Sequence, residues 1–255
     1  MAGNSGISQA RTRLGWEPVR QLYEEVVQPI AQPSTRGAWY REWRIVSLDG
    51  STLDVADEVA NAEIFGRPSG GRGDGAFPQI RFVALLENGT HVLFGGQMAG
   101  YATSETTLAK AVLPCLRPGM LCLADRGFYG FALWTQAVTT GAMLLWRVRK
   151  DILLPDQKRR RIPSLSGDKV SGTAAPVVKR LPDGSYLSRI YPSQPDQKRG
   201  TNGIVVRVIE YRLEGIEGSE PVYRLITTML NHEEAPAAET GRALPRPLGD
   251  RNHFR

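Results

Sequence analysis

The sequence predicts a mixed α/β fold with a β-rich insertion, and three observations carry the prediction. Two apolar runs flank Asn88-Gly89 in "PQIRFVALLENGTHVLFGGQMAGY", the strongest short-range signal for a β-hairpin. Residues 103–148 then alternate helical apolar spacing with short apolar strands, the pattern of crossovers into parallel strands. Beyond residue 150 the chain turns polar and is punctuated by Pro and Gly, with short β-like runs between.

Each element follows from local pattern. Val19, Leu22, Tyr23, Val26, Val27 and Ile30 form one apolar helical stripe, and Pro18 suits the first turn of that helix. "AQPSTRGAW" breaks it. "WRIVSLDGSTLDV" reads as a strand, a turn region and a short strand, and the hairpin follows. Thr103 or Ser104 caps a helix with Leu108, Val112, Cys115 and Leu116 on one face. "GMLCLAD" is a strand, "FALWTQAVTTG" a helix stopped at Gly141, and "AMLLWRVR" a strand. "AAPVVKRL", "SYLSRIY" and "GIVVRVIEYRL" supply the β character of the insertion, and "VYRLITTML" returns to a core-like strand. The expected division is therefore 1–40 helical, 41–149 a mixed α/β core, 150–220 insertion, 221–239 return to core, and 240–255 a tail without helix or strand pattern.

With 255 residues, 41% hydrophobic and 23% charged, the chain is long enough to bury a sizeable core. Cys115 and Cys122 both lie in apolar runs, which argues against a disulfide framework and for a reducing compartment. No apolar stretch has signal-peptide or membrane-spanning length, so we expect a soluble, cytoplasmic protein with no membrane partner. The net charge is +6, yet residues 147–212 alone hold 15 Lys or Arg against 6 Asp or Glu. That block is either a solvated basic face or the footprint of a polyanion, most simply nucleic acid.

His91, His232 and His253 are scattered, and no nucleophile elbow, phosphate loop or dinucleotide fingerprint occurs. The Gly-rich "GRPSGGRGDGAF" follows no strand and opens no helix, so it reads as a loop. What stands out is a pair of aspartates. Asp49 closes the apolar run Ile45 to Leu48, and Asp125 closes Leu121 to Ala124. In α/β sheets ligands gather at carboxyl ends of strands. Two aspartates on neighbouring strands there could share a hard divalent cation, which takes oxygen ligands and can stabilise both oxygens of a phosphodiester displacement. Two plainer explanations compete: Asp49-Gly50 as a turn dipeptide, and Asp125 as the cap of the following helix. Asp54 and Asp57 lie in less apolar surroundings and are weaker candidates.

"LDGSTLDVADEVANAEIFGRP" and "LADRGFYGFALW" resemble the core of bacterial insertion-sequence transposases of the DDE type, in the insertion-sequence-four family. "ISQARTRLG", "GAFPQIRFVALLENGTH" and "LLWRV" fit the same pattern in the same order, over residues 5–239. The resemblance implies a ribonuclease-H-like mixed sheet with flanking helices and a β-rich insertion. It implies that Asp49 and Asp125 are the first two catalytic, metal-binding carboxylates, with Mg²⁺ or Mn²⁺ as cofactor. The reaction implied is DNA cleavage and strand transfer, on double-stranded DNA of element ends and target, by a nucleoid-associated enzyme that is dimeric in full-length relatives. Arg126, Arg147, Arg149, Lys150, Lys158, Arg159, Arg160 and Arg161 are the candidate DNA contacts.

Two departures qualify this. Family members begin with a further N-terminal DNA-binding region. Their third carboxylate is a Glu in a Tyr-x2-Arg-x3-Glu-x6-Lys helix, a pattern that does not occur after Ala238, and Glu233, Glu234 and Glu239 precede its place. Back-translating residues 240–255 with permitted codons and skipping one nucleotide gives LAALYHDRWEIETTF, which contains Tyr-x2-Arg-x3-Glu. The expectation is a frameshifted, disordered tail, a chain truncated at both ends, weak metal binding and little or no catalysis. The alternative is a non-catalytic DNA-binding remnant that uses the basic block.

Overall fold

Helices α1 (Asn4–Leu14) and α2 (Glu17–Val26) lead into a short strand β1 (Trp39–Tyr40) and a long one, β2 (Trp43–Asp54). A computed structural model of the chain describes residues 4–70, 73–148, 177–211 and 222–243. After β2 come α3 (Val59–Phe65), the two-residue strands β3 (Ser69–Gly70) and β4 (Gly73–Asp74), and the hairpin β5 (Gln79–Glu87) and β6 (Leu93–Gly100). Then α4 (Glu105–Val112), β7 (Met120–Ala124), α5 (Phe131–Val138) and β8 (Met143–Val148) alternate. The rest comprises β9 (Val177–Arg180), β10 (Tyr186–Ile190), α6 (Gln194–Arg199), β11 (Ile204–Tyr211), β12 (Tyr223–Thr227) and α7 (Ala237–Ala243).

One mixed sheet of ten strands organises these elements, in the order β6-β5-β2-β7-β8-β12-β11-β10-β9, with β1 beside β2. The β2–β7 and β7–β8 pairings are parallel, and the other described pairings in this sheet are antiparallel. The antiparallel start and the parallel crossovers are those the sequence predicts. The strands expected in the insertion, β9 to β11, extend this same sheet through β12.

Alternation along the strands divides the core in two. Val46, Leu48, Cys122, Ala124, Leu144 and Trp146 face α4 and α5, where Leu108, Val112, Leu133 and Trp134 are buried. Ile45, Leu121, Leu123, Leu145, Ile209 and Leu225 face the opposite side, against Met229 and Ala235. Helix α4 starts where the sequence places it, with the Ser104 hydroxyl accepting from the Thr107 amide at 3.2 Å.

Three local expectations differ from the structure. Residues 43–54 form one uninterrupted strand, not two strands around a turn, because β5 pairs with β2 from Val46 to Asp54 without a break. Part of the Gly-rich stretch forms the small β3–β4 ladder instead of a plain loop. The first four residues of the supposed tail belong to α7, with Thr240 fully buried. The Tyr40 and Thr240 hydroxyls lie 3.2 Å apart, and Arg41 donates to Glu239 at 2.9 Å. Residues 244–255 lie outside the described residues.

Two buried charges tie distant parts of the chain to the sheet. Arg207 is 0% exposed and donates to Asp183 at 2.5 Å, to the Ser185 hydroxyl at 2.8 Å and to the Ala235 carbonyl at 2.6 Å. Asp183 also accepts from the Ala237 amide at 2.9 Å, so one ion pair fixes the β9–β10 turn, β11 and the start of α7. Glu87, also 0% exposed, accepts from the Ile30 amide at 2.9 Å, the Ala31 amide at 3.0 Å, Thr90 at 2.5 Å and Arg44. It anchors the chain after α2 to the end of β5.

Burial alone would push the Glu87 carboxyl up. The hydrogen bonds from Thr90, Ile30, Arg44 and Ala31 outweigh it and hold the group below its ordinary value. A lowered folded-state pKa contributes stability that is present above the unfolded pKa of about 4.3 and lost as pH falls through the folded value. Glu87→Ala, which strands Arg44 and two amides, should cost about 3 kcal/mol at neutral pH. Glu87→Gln should flatten the acid limb of stability. Urea titrations between pH 3 and 7, those limits being about the span of carboxylate titration, check both.

Candidate functional site

The parallel ladder between β2 and β7 builds the site. Its registered pairs run from Arg44↔Met120 to Leu48↔Ala124, so Asp49 and Asp125 each directly follow the last registered pair. The ladder between β7 and β8 ends at Ala124↔Trp146, which puts Arg147 next in the same row. Asp49 in the middle of β2, Asp125 just past the end of β7 and Arg147 near the end of β8 thus follow the last registered pairs of three neighbouring strands. Both aspartates are exposed.

The two carboxylates are held differently. Asp49 continues within β2, opposite Ala84 of β5, and its Oδ1 accepts from the Gly50 amide at 2.8 Å. Asp125 leaves β7 for a loop, where its Oδ1 accepts from the Gly127 amide at 2.8 Å. Helix α5 is capped by Gly130, so Asp125 closes its own turn and is not the helix cap. Nor does Asp49-Gly50 form a turn. Both plainer explanations of these residues therefore give way to geometry.

Glycines permit the close approaches. A Cβ on Gly127 would lie 3.0 Å from Asp125 Oδ1. A Cβ on Gly50 would lie 3.2 Å from Val83 Cγ2 and 3.2 Å from Glu105 Cδ, so the first turn of α4 rests directly against β2 beside Asp49. Phe128, 2% exposed, pins the loop after Asp125 into the core, and burial pushes the neighbouring Tyr129 phenol up to about 12. Burial likewise pushes the Cys122 thiol up to about 12, leaving it protonated and inert under the site.

The Arg147 guanidinium lies 4.5 Å from the Tyr223 ring centroid, and Tyr223 stacks on Tyr211 at 5.2 Å. Sequence pattern did not single out these tyrosines, because a Tyr at a strand end reads as core. Arg126 is exposed beside Asp125. Arg149, Lys150, Lys158, Arg159, Arg160 and Arg161 lie outside the described residues. Among the described residues no group of three or more His, Cys, Asp or Glu is placed to hold a metal ion, and Asp54 and Asp57 are engaged with Gln79 and Arg67.

Gly50→Ala should destabilise the chain by about 1–2 kcal/mol through overlap with Val83 and Glu105. Removing one of the two obstacles with Glu105→Ala should reduce that cost. A double-mutant cycle in urea measures the coupling, which should be well above the about 0.3–0.5 kcal/mol scatter of independent sites.

No protein-family model matches the chain. In sequence it is 29% identical over 185 residues to InsZ of Escherichia coli strain K12, named as a transposase, covering 71% of this chain and 58% of InsZ. It is 22% identical over 240 residues to the transposase InsG for insertion sequence element IS4 of the same strain, covering 93% of this chain and 49% of InsG. The chain therefore spans about half the length of these curated relatives. A piggyBac transposase, solved by cryo-EM as a synaptic complex with hairpin DNA, overlaps 89% of this chain and 40% of its own. The identity there is 15% and the TM-score 0.35, too low to define a common fold.

Proposed function

The chain is related to bacterial insertion-sequence transposases, and from that kinship we propose that it carries the core of a DDE-type DNA-cleaving and strand-transfer site, with Asp49 and Asp125 as two of its carboxylates. The observation that carries this reading is the parallel β2–β7 register, which makes the two aspartates neighbours. The strand order β6-β5-β2-β7-β8, three antiparallel strands followed by two parallel crossovers, supports a ribonuclease-H-like core.

The donor set fits a hard divalent cation: two carboxylates on one face of the sheet, each already oriented by a backbone N–H. Mg²⁺ or Mn²⁺, when bound, supplies Lewis-acid stabilisation of the phosphodiester and lowers the pKa of an attacking water or 3′-hydroxyl. The protein's own part is positional. Asp49 and Asp125 hold negative charge at fixed spacing. Arg147, its guanidinium over the Tyr223 ring of β12, supplies positive charge one strand beyond Asp125, within reach of a phosphate that spans the strand ends. Arg126 adds a second cation at the rim. The bound polymer in this reading is double-stranded DNA.

Two carboxylates with no third among the described residues make an incomplete cation site. We expect Mn²⁺ binding in about the millimolar range and turnover far below that of a full-length relative. Asp49→Asn and Asp125→Asn should each weaken Mn²⁺-induced water-proton relaxation about tenfold or more. Each should remove any divalent-dependent nicking of duplex DNA while leaving duplex affinity in place. Relaxation and nicking that are indifferent to both substitutions would sink the metal site. Salt-sensitive DNA binding that persists without divalent ions would then favour a non-catalytic DNA-binding protein.

A further inference from the structure

We infer that the far edge of the sheet, strands β9 and β10 with helix α6, is a second docking surface for the phosphate backbone of duplex DNA, separate from the Asp49–Asp125 end. The inference rests on the DNA-processing reading above and adds to it a surface with its own residues.

The argument is one of charge left over after internal pairing. Two of the described cations of residues 147–212 are already committed in the folded chain. Arg207 is buried against Asp183, and Arg147 lies over Tyr223. Outside that block, Arg224 of β12 pairs with Glu210. Residues 177–203 hold five cations, Lys179, Arg180, Arg189, Lys198 and Arg199, and two acids, Asp183 and Asp196. Asp183 is turned inward, whereas Asp196 stays at the surface near Arg199 with its oxygens engaged locally. Asp183 takes Arg207 and the Ala237 amide. Asp196 lies in the first turn of α6, where it accepts from the Asn202 amide group at 2.9 Å and from Thr201 at 3.3 Å, and its own amide donates to Ser193.

Arg180 stands opposite Tyr186 on the α4 side of the sheet. Lys179, opposite Leu187, and Arg189, opposite Val205, fall on the other side, the one that carries Asp49 and Asp125. Lys198 and Arg199 are exposed at the end of α6. None of Lys179, Arg189, Lys198 and Arg199 forms a salt bridge among the described residues. With Asp183 spent on Arg207 and only Asp196 left at the surface, the four cations keep a positive excess there, and a polyanion is the partner that matches it.

Position supports the same partner. From β7 to β9 is five strand steps in the sheet order. At about 4.8 Å per step that is about 24 Å, the length of about seven base pairs at about 3.4 Å each. A duplex with one phosphate at Asp49 and Asp125 therefore reaches the far edge within a single helical turn.

The test is a salt titration of duplex binding by fluorescence anisotropy, using a random duplex of about 30 base pairs and no divalent ion. The 255-residue chain is compared with a variant carrying Lys179→Ala, Arg189→Ala, Lys198→Ala and Arg199→Ala. A charge-matched control carries Arg11→Ala, Arg13→Ala, Arg36→Ala and Lys110→Ala, all exposed positions elsewhere. Each lost phosphate contact lowers the slope of log affinity against log salt by about 0.9, so the first variant, which removes four cations, should lose up to about 3.6 units of slope and the control almost none. The pair Lys198→Glu with Arg199→Glu, confined to the exposed end of α6, should act in the same direction and guards against misfolding of the fourfold variant. Equal losses in the fourfold variant and the control, or no loss in either, would overturn the second surface and leave the Asp49–Asp125 reading standing. Absence of duplex binding by the parent chain would overturn both.

Discussion

The parallel pairing of β2 with β7 is the constraint on which the rest depends. Five registered pairs bury Ile45, Val46, Leu48, Leu121, Cys122 and Leu123 in the centre of the sheet, with both faces covered. Parallel strands require such cover, because the crossovers that join them lie on the faces. A one-residue slip would send the apolar set to the wrong faces and separate the two aspartates, so folding stability and site geometry are specified by the same register.

Around that centre, long-range polar contacts do what local propensity cannot. Glu87 gathers the chain after α2 and Arg44 at one end of β5, and Asp183 with Arg207 gathers the turn between β9 and β10 and the start of α7. Each is a buried charge with nearly all its hydrogen-bonding capacity used, the condition under which such a group specifies structure instead of destabilising it. Helix α2 shows the contrast. Its apolar positions Val19, Leu22 and Val26 are all exposed, and Tyr23 holds it to the β6 edge through one bond to the Leu93 carbonyl at 3.2 Å.

Much of this was legible in the sequence, where local signals and tertiary structure agree. The Asn88-Gly89 hairpin, the Ser104 cap, the apolar strand before Asp125 and the β runs beyond residue 177 each announce themselves within a few residues. Asp49-Gly50 is where local reading fails: Asp-Gly has turn chemistry, but nine registered pairs with β5 override it. Arg207 fails for a different reason. An arginine in a block with a basic excess reads as solvated, and only the Asp183 carboxylate, the Ser185 hydroxyl and the Ala235 carbonyl brought to it from elsewhere in the chain show otherwise. The stack of Arg147 on Tyr223 and Tyr211 joins residues that are far apart in the chain, so no window of sequence contains it.

The unequal lengths of the two ladders on β2 have a mechanical consequence. On one side β5 accompanies β2 to Asp54; on the other β7 departs after Ala124. Asp49 is thus mounted on a braced beam, while Asp125 rides on the first link of a loop pinned three residues later by Phe128. When something lodges between the two carboxylates, the adjustment falls on the Asp125 side, so the site behaves as a fixed jaw facing a compliant one.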